Sequence, residues 1–308
     1  VTAVATDASG NESAASAAQS FTIDTVAPEV PQITSGVLTN DATPVITGTA
    51  QVGATVSVTV AGKTYTVTAS DGTWSVDTGA ASGTGTSTFT ANGSNAVSVT
   101  ATDAAGNESA AATQTLVVDT TLPTVAITDN QASTTNGVIL YTFTFSESVS
   151  GFTADDVTVG NGTKGLFTQV SASVYQLAVT PDAGEAGDVT VDVAGAVAVD
   201  GAGNSNSAAT QSVQAFDTLA PNAPVVSALA SVTNDATPTI TVTAEAGSTV
   251  KVYANGVLIG TAVEGDAGSY SLTAAALLDG AYSVTAVATD ASGNESAASA
   301  AQSFTIDT

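Results

Sequence analysis

The sequence predicts an all-β protein built as a tandem array of antiparallel β-sandwich domains, and three observations predict it. Short apolar/polar alternations recur along the whole chain, Gly, Asn, Asp and Pro separate them, and one segment returns at domain-length intervals.

The repeat comes first because it sets the organisation. Residues 1–25, VTAVATDASGNESAASAAQSFTIDT, recur unchanged as 284–308. Weaker copies end at Thr120 and Thr218, and the closing aspartates Asp24, Asp119, Asp217 and Asp307 are spaced by 95, 98 and 90 residues. That period is too long for a solenoid repeat and suits a whole sandwich domain. The units are therefore expected at 26–120, 121–218 (a variant type) and 219–308, with 1–25 supplying the last two strands of a preceding unit. Two strands cannot build a core alone. With no initiator Met and a start inside an alternating segment, the chain is expected to be a piece of something longer.

Alternation gives the strands. In Thr55–Val60, Thr64–Thr68, Tyr141–Phe145, Val174–Val179 and Ala281–Thr289, apolar residues alternate with Thr, Ser and other small or polar residues, so one face of each segment packs and the other meets water. About seven such runs per unit predict two stacked antiparallel sheets. Tyr270–Leu278 is the one stretch read as a short helix. The threonine-rich faces suggest an ice- or sugar-binding surface, but threonine also simply suits exposed strand positions.

Composition bounds the function. Three lysines, no arginine and 28 carboxylates give a net charge of −25, which opposes binding to nucleic acid or anionic membranes and favours cations as partners. Only 10% of residues are charged against 43% hydrophobic, so the acids are isolated in a foldable background. No apolar run of membrane-spanning length occurs. Without His, Cys or Arg the usual bases, thiol nucleophiles and oxyanion clamps are missing, and the chain is not expected to be an enzyme. Lys63, in Ala61-Gly62-Lys63-Thr64, is expected to be solvent-exposed, and a lysine–asparagine crosslink would need a buried lysine beside an acid.

Several motifs act together: the recurring DxxGNxS, the closing (I/V/F)DTxxP, TNDATPxIT at Thr39–Thr47 and Thr233–Thr241, and FTFSESVSGFTADDVTV at Phe143–Val159. In these the chain resembles bacterial immunoglobulin-like repeats, which fill the extender regions of large biofilm-associated adhesins. The resemblance implies a surface-displayed or type I-secreted monomeric rod, at the bacterial cell surface, with Ca²⁺ at its joints. Departures from antibody-type domains are the missing inter-sheet disulfide and the displaced lone Trp74. Tyr282 matches the tyrosine-corner position, yet the aligned residue of the first full unit is Asn95.

Strand direction then places the acids. If the last strand ends at the far pole, the DxxGN hairpin before it faces the preceding domain. The first inter-strand loop, with Asp41 or Asp235, lies beside the closing Asp, and the loop after the second strand brings Gln51, Glu147 or Glu245 back to the near pole. The expected Ca²⁺ sets are Asp24, Gln51 and Asp103 at the first joint, then Asp41, Asp119, Glu147 and Asp200 with the Asn204 carbonyl at the second. Asp217, Glu245 and Asp290, with Asp129 from the preceding unit, make the third, and Asp235 with Asp307 make half a site. Two like charges about 5 Å apart repel by roughly 3 kcal/mol at an effective dielectric of about 20, and a hard cation reverses that sign. Calcium accepts six to eight oxygens in irregular geometry; zinc lacks His or Cys ligands here. Turn chemistry offers another role for DxxGN, an Asx-turn with Gly at a left-handed position. Asp155 and Asp156 read first as a solvated loop, with membership of the second joint as the other placement. The expected partners are neighbouring repeats, with host surfaces or other cells engaged elsewhere. The functional expectation is an adhesin spacer that supports adhesion and biofilm formation; the alternative is a module recognising a glycan or host protein through its pole loops.

Overall fold

The computed structural model describes residues 1–80 and 82–308. Its strands collect around three hydrophobic cores. The first core is made by β1 (Gln32–Ile33), β2 (Leu38–Thr39), β3 (Val45–Thr49), β4 (Thr55–Val60), β5 (Lys63–Thr68), β6 (Thr73–Asp77), β7 (Gly93–Thr102) and β8 (Ala112–Val118). They form a three-stranded sheet, β1-β3-β6, and a five-stranded sheet, β2-β8-β7-β4-β5. Alternation explains the packing: on β4 the inward Val56, Val58 and Val60 are buried while the intervening threonines and serine are partly or fully exposed. A two-residue hairpin, Ala61-Gly62, joins β4 to β5 with both residues at positive φ (44° and 84°), the geometry that matches the right-handed strand twist.

That hairpin corrects the expectation for Lys63. It is the first residue of β5 and is partly buried; its Nζ donates to the Ala80 carbonyl at 2.9 Å and lies 4.8 Å from the centre of the Tyr65 ring. The ammonium thus keeps a polar partner while it lies over a buried ring. Trp74, on β6, is buried in the same core opposite Gly48.

The second core is enclosed by β9 (Val125–Thr128), β10 (Ile139–Phe145), β11 (Val157–Gly160), β12 (Gly162–Gln169), β13 (Val174–Pro181), β14 (Ala186–Val193) and β15 (Ser212–Asp217). The sheets are β12-β13-β10-β9 and β11-β14-β15. This core is aromatic: Phe152 lies 5.1–5.7 Å from the rings of Phe143, Phe145, Phe167 and Tyr175, edge to face in each case. Asp155 and Asp156 lie in a one-turn 3-10 helix, where Asp156 Oδ2 accepts from the Thr153 N–H and hydroxyl.

Tyr141 has its ring in this core and its hydroxyl buried, with no hydrogen-bond partner among the described residues. Burial, reinforced by the negative charge of Asp129, pushes the phenol up to about 12. An unfolded tyrosine titrates near 10. The stability Tyr141 contributes is therefore complete below about pH 10 and is lost as pH rises toward about 12, because the unfolded chain releases that proton first. Chemical denaturation between pH 8 and 12 is expected to show this loss, and Tyr141→Phe is expected to remove part of it while leaving stability at pH 7 unchanged or raised, since no hydrogen bond is broken.

The third core is wrapped by one eight-stranded sheet, β16-β18-β21-β20-β19-β22-β23-β17. Its strands are β16 (Val225–Val226), β17 (Val232–Thr233), β18 (Thr239–Thr243), β19 (Thr249–Ala254), β20 (Val257–Glu264), β21 (Ser269–Thr273), β22 (Gly280–Thr289) and β23 (Gln302–Ile306). Closure depends on β20, which pairs with β19 up to Ala262 and with β21 at Val263 and Glu264. The expected helix at Tyr270–Leu278 is absent: Ser269–Thr273 is strand β21, its Tyr270 buried and paired with Val242. A period-two pattern with a sheet edge available outweighed a short, uncapped helical tendency.

The expected tyrosine corner at Tyr282 and the aligned Asn95, which the sequence set apart from it, do the same work with different chemistry. The Tyr282 hydroxyl donates to the Leu278 carbonyl at 3.0 Å. Asn95 instead donates from Nδ2 to the Thr90 carbonyl (2.9 Å) and accepts from the Thr90 N–H (2.8 Å). Both tie the strand to the chain four or five residues upstream, so an amide replaces a phenol.

The described residues form two compact units, Val1–Leu122 with Gly201–Asn204, and Pro123–Asp200 with Ser205–Thr308. Among the described residues, no helix is long and apolar enough to cross a membrane.

Candidate functional site

The DxxGN loops build themselves in a common way. In Asp103–Asn107, Asp103 Oδ1 accepts from the Ala105 and Asn107 N–H groups and Oδ2 from Asn107 Nδ2, all at 2.8–2.9 Å. Gly106 takes the left-handed turn at φ 93°. Asp7 and Asp290 hold their loops through the same bonds from Asn11 and Asn294. The expected Asx-turn is thus present, and its donors shift the acids. The Asn107 side chain, then its N–H, holds Asp103 below the usual carboxylate range, and Asn11 does the same for Asp7. Burial pushes Asp290 upward, but the bonds from Asn294 prevail and the net shift is downward. Each carboxylate accepts through about four lone-pair sites, so these loops do not use up their oxygens.

In three of the DxxGN loops the asparagine side-chain amide also reaches the preceding repeat's closing aspartate. Within the first unit, Asn107 Nδ2 donates to the Asp24 carbonyl at 3.1 Å and Asn204 Nδ2 to the Asp119 carbonyl at 2.7 Å. Within the second, Asn294 Nδ2 donates to the Asp217 carbonyl at 2.8 Å. The same bond therefore forms three times. Asn107 and Asn294 were absent from the expected joint sets, and Asn204 was expected to offer an oxygen rather than this donor. The signal was available, since the asparagine holds one place in every DxxGN loop, but which backbone oxygen it meets depends on the fold.

Further contacts differ between joints. Asp217 Oδ1 accepts from its own Leu219 N–H and Oδ2 from the Ser292 hydroxyl at 3.1 Å, while Asn136 Nδ2 donates to Asn294 Oδ1 at 3.3 Å. Asp24, Gln51 and Asp103 line one open cleft of about 470 Å³ in the first unit. In the second unit, the carboxylates of Glu147 and Asp200 lie within 4.8 Å of each other, and Asp200 is only 6% exposed. Desolvation makes such a pair expensive as bare charges and well suited to a hard cation held by oxygen.

Other expected ligands are placed differently. Among the described residues, Asp217, Glu245 and Asp290 do not converge within 4.8 Å as a three-acid group; Glu245 is exposed, and its backbone carbonyl accepts from the Tyr270 hydroxyl. Asp129 Oδ1 accepts from the Gln131 N–H. Asp41 and Asp235 each hold a turn, their Oδ1 accepting from the N–H and hydroxyl of Thr43 and Thr237. Asp307 is exposed at the end of the third sandwich.

This fold of sandwiches joined through DxxGN loops corresponds to a known class. Models of the bacterial Ig-like domain match residues 33–120 and 225–308, and a second model of the same description matches 119–216. The chain belongs to the bacterial Ig-like domain family. Solved structures similar to it include a tetra-tandem repeat from the extending region of a large adhesion protein, 23% identical with a TM-score of 0.32, covering 99% of this chain and 80% of that one. The BSP domain of a biofilm associated protein is 13% identical (TM-score 0.25, covering 92% and 66%), and the D00-D0 domain of intimin is 18% identical (TM-score 0.28, covering 59% and 99%). No curated protein sequence matches.

Proposed function

We propose that this chain is a non-catalytic spacer segment of a bacterial surface adhesin, displayed outside the cell, whose joints are stiffened by Ca²⁺. The observation that carries the reading is the repeated bond from the DxxGN asparagine to the preceding closing aspartate, at Asn107, Asn204 and Asn294. A recognition surface needs one site of particular chemistry; a spacer needs the same joint again and again. Membership of the bacterial Ig-like family supports a structural role.

For the cation, the ligands proposed at the second joint are Glu147 and Asp200, whose carboxylates are close together, with the closing aspartate Asp119. At the first joint Asp24, Gln51 and Asp103 would hold the ion, and at the third Asp217 and Asp290. Calcium would supply charge neutralisation and a fixed distance between oxygens there.

Isothermal titration with Ca²⁺ is expected to give heat of binding that falls markedly in an Asp119→Ala/Asp200→Ala chain. Small-angle scattering is expected to show a longer, stiffer particle with Ca²⁺ than with EGTA. Equal heats from the two proteins would remove calcium from the second joint, and scattering indifferent to the ion would remove the stiffening role.

A further inference from the structure

Four asparagines of this chain precede a glycine, at 92–93, 136–137, 161–162 and 255–256. In such a pair the glycine's backbone nitrogen can reach the asparagine's side-chain carbonyl carbon, because no β-carbon hinders the approach. The fold holds three of the four away from that geometry. Gly93 opens β7 and pairs with Val118, and Asn92 Oδ1 accepts from both the N–H and the hydroxyl of Thr120 at 2.7 Å. Gly162 opens β12 and pairs with Pro181, while Asn161 Nδ2 donates to the Asp188 carbonyl at 2.8 Å. Asn255 and Gly256 make the two-residue turn between β19 and β20, and the Asn255 amide is pinned at both ends, accepting from the Ser283 N–H and donating to the Ala281 carbonyl. Turning any of these side chains toward its own glycine would break hydrogen bonds that the sheets depend on.

Asn136 and Gly137 are different. Both are exposed and lie outside the strands, between β9 and β10. The Gly137 N–H donates to the Thr135 hydroxyl at 3.1 Å, and Asn136 Nδ2 donates to Asn294 Oδ1 at 3.3 Å, a long bond for an amide. The same turn occurs in the other two sandwiches, where the N–H groups of Asp41 and Asp235 donate to the hydroxyls of Thr39 and Thr233 at 3.1 Å. There Asn40 and Asn234 are followed by aspartate, whose side chain hinders the attacking nitrogen. In the second sandwich glycine removes that hindrance at a place where the backbone is free to move.

We propose that Asn136-Gly137 is a site of spontaneous deamidation, and that its conversion turns a neutral contact between the second and third sandwiches into a repulsive one. The Gly137 nitrogen, once it has lost its proton, attacks Asn136 Cγ; Nδ2 takes up a proton and leaves as ammonia, and a cyclic imide remains. Water then adds to one or other imide carbonyl and gives aspartate or isoaspartate. The new carboxylate is an acceptor with no hydrogen to offer, so it meets Asn294 Oδ1 oxygen to oxygen. Asn294 cannot turn its amide round without losing the Nδ2 bonds to the Asp217 carbonyl and the Asp290 carboxylate. Those two aspartates add negative charge on the same side, and the contact at position 136 is lost.

The test ages the full chain in mild alkali and follows each Asn-Gly peptide by mass spectrometry for the mass gain of exchanging –NH2 for –OH, with isoaspartate assayed by enzymatic methylation. Asn136 is expected to convert several-fold faster than Asn92, Asn161 or Asn255, and faster in alkali than at neutral pH, because the attacking nitrogen must lose a proton. Gly137→Ala is expected to slow the conversion several-fold in a folded chain, since a β-carbon there meets nothing nearer than the Thr135 hydroxyl at 3.7 Å. Conversion of Asn136 no faster than that of Asn255, or indifferent to Gly137→Ala, would overturn the site. For the consequence, Asn136→Asp is expected to speed amide hydrogen exchange in the 290–294 loop more than Asn136→Ala, which loses the bond without adding charge. Equal exchange in those two variants would overturn the repulsive contact.

Discussion

Gly48→Val is expected to unfold the first sandwich at much lower denaturant than the original chain, with a loss of about 3 kcal/mol or more by the overpacking rule. Gly48 lies on β3 between β1 and β6. A Cβ there would stand 2.0 Å from the Gln32 carbonyl oxygen and 2.2 Å from Trp74 Cζ2. Neither can yield cheaply. The first is backbone hydrogen-bonded into the sheet, and the second belongs to a ring that is 3% exposed in the core. The substitution must therefore move β1 away from β3 or expel the indole. Trp74 is the only tryptophan, so a denaturant titration followed by tryptophan fluorescence reads this sandwich alone. A midpoint unchanged within error would show that the clash is relieved without loss.

Phe152→Ala is expected to have the next largest effect, a loss of about 3–5 kcal/mol in the second sandwich, from removing a buried phenylalanine and leaving a cavity. Phe152 is 5% exposed, and four rings meet it edge to face. Such pairs contribute about 0.5–1.5 kcal/mol beyond area burial, and the four partners sit on β10, β12 and β13, so one truncation loosens three strands. Calorimetry should show one transition moving to lower temperature, while the Trp74 fluorescence transition stays in place. If both moved together, the first and second cores would be unfolding as one cooperative body. Phe152→Leu, which keeps most of the volume, is expected to lose much less.

The Asn95 and Tyr282 positions show how far sequence reasoning reaches. The tyrosine could be matched to a corner, because one phenol at a set distance from a strand is a recognisable pattern. The asparagine could not, because its equivalence depends on Thr90 turning back within reach of both ends of the amide. Lys63 is a similar case. Its hairpin was visible in Ala61-Gly62, but its partner, the Ala80 carbonyl, is 17 residues away and is brought near only by the fold.

The acids divide along the same line. That Asp103 and Asp290 fold their own loops follows from the spacing of Asp, Gly and Asn, since all the groups lie within five residues. That Asp24, Gln51 and Asp103 surround one cleft follows from strand parity together with the fold. Asp41 and Asp235 were assigned to joints, and the structure shows their Oδ1 atoms holding adjacent threonines.

The all-β class, the alternation of buried and exposed faces, and the local turns were legible in the residues alone, because each depends on neighbours within a strand or a loop. That Trp74 needs a glycine at position 48, that an amide stands in for a tyrosine, and that three asparagines reach the preceding repeat's closing aspartate became visible with the folded chain. Those outcomes depend on contacts between chain segments far apart in sequence, and periodicity carries no information about which distant backbone atom a side chain will meet.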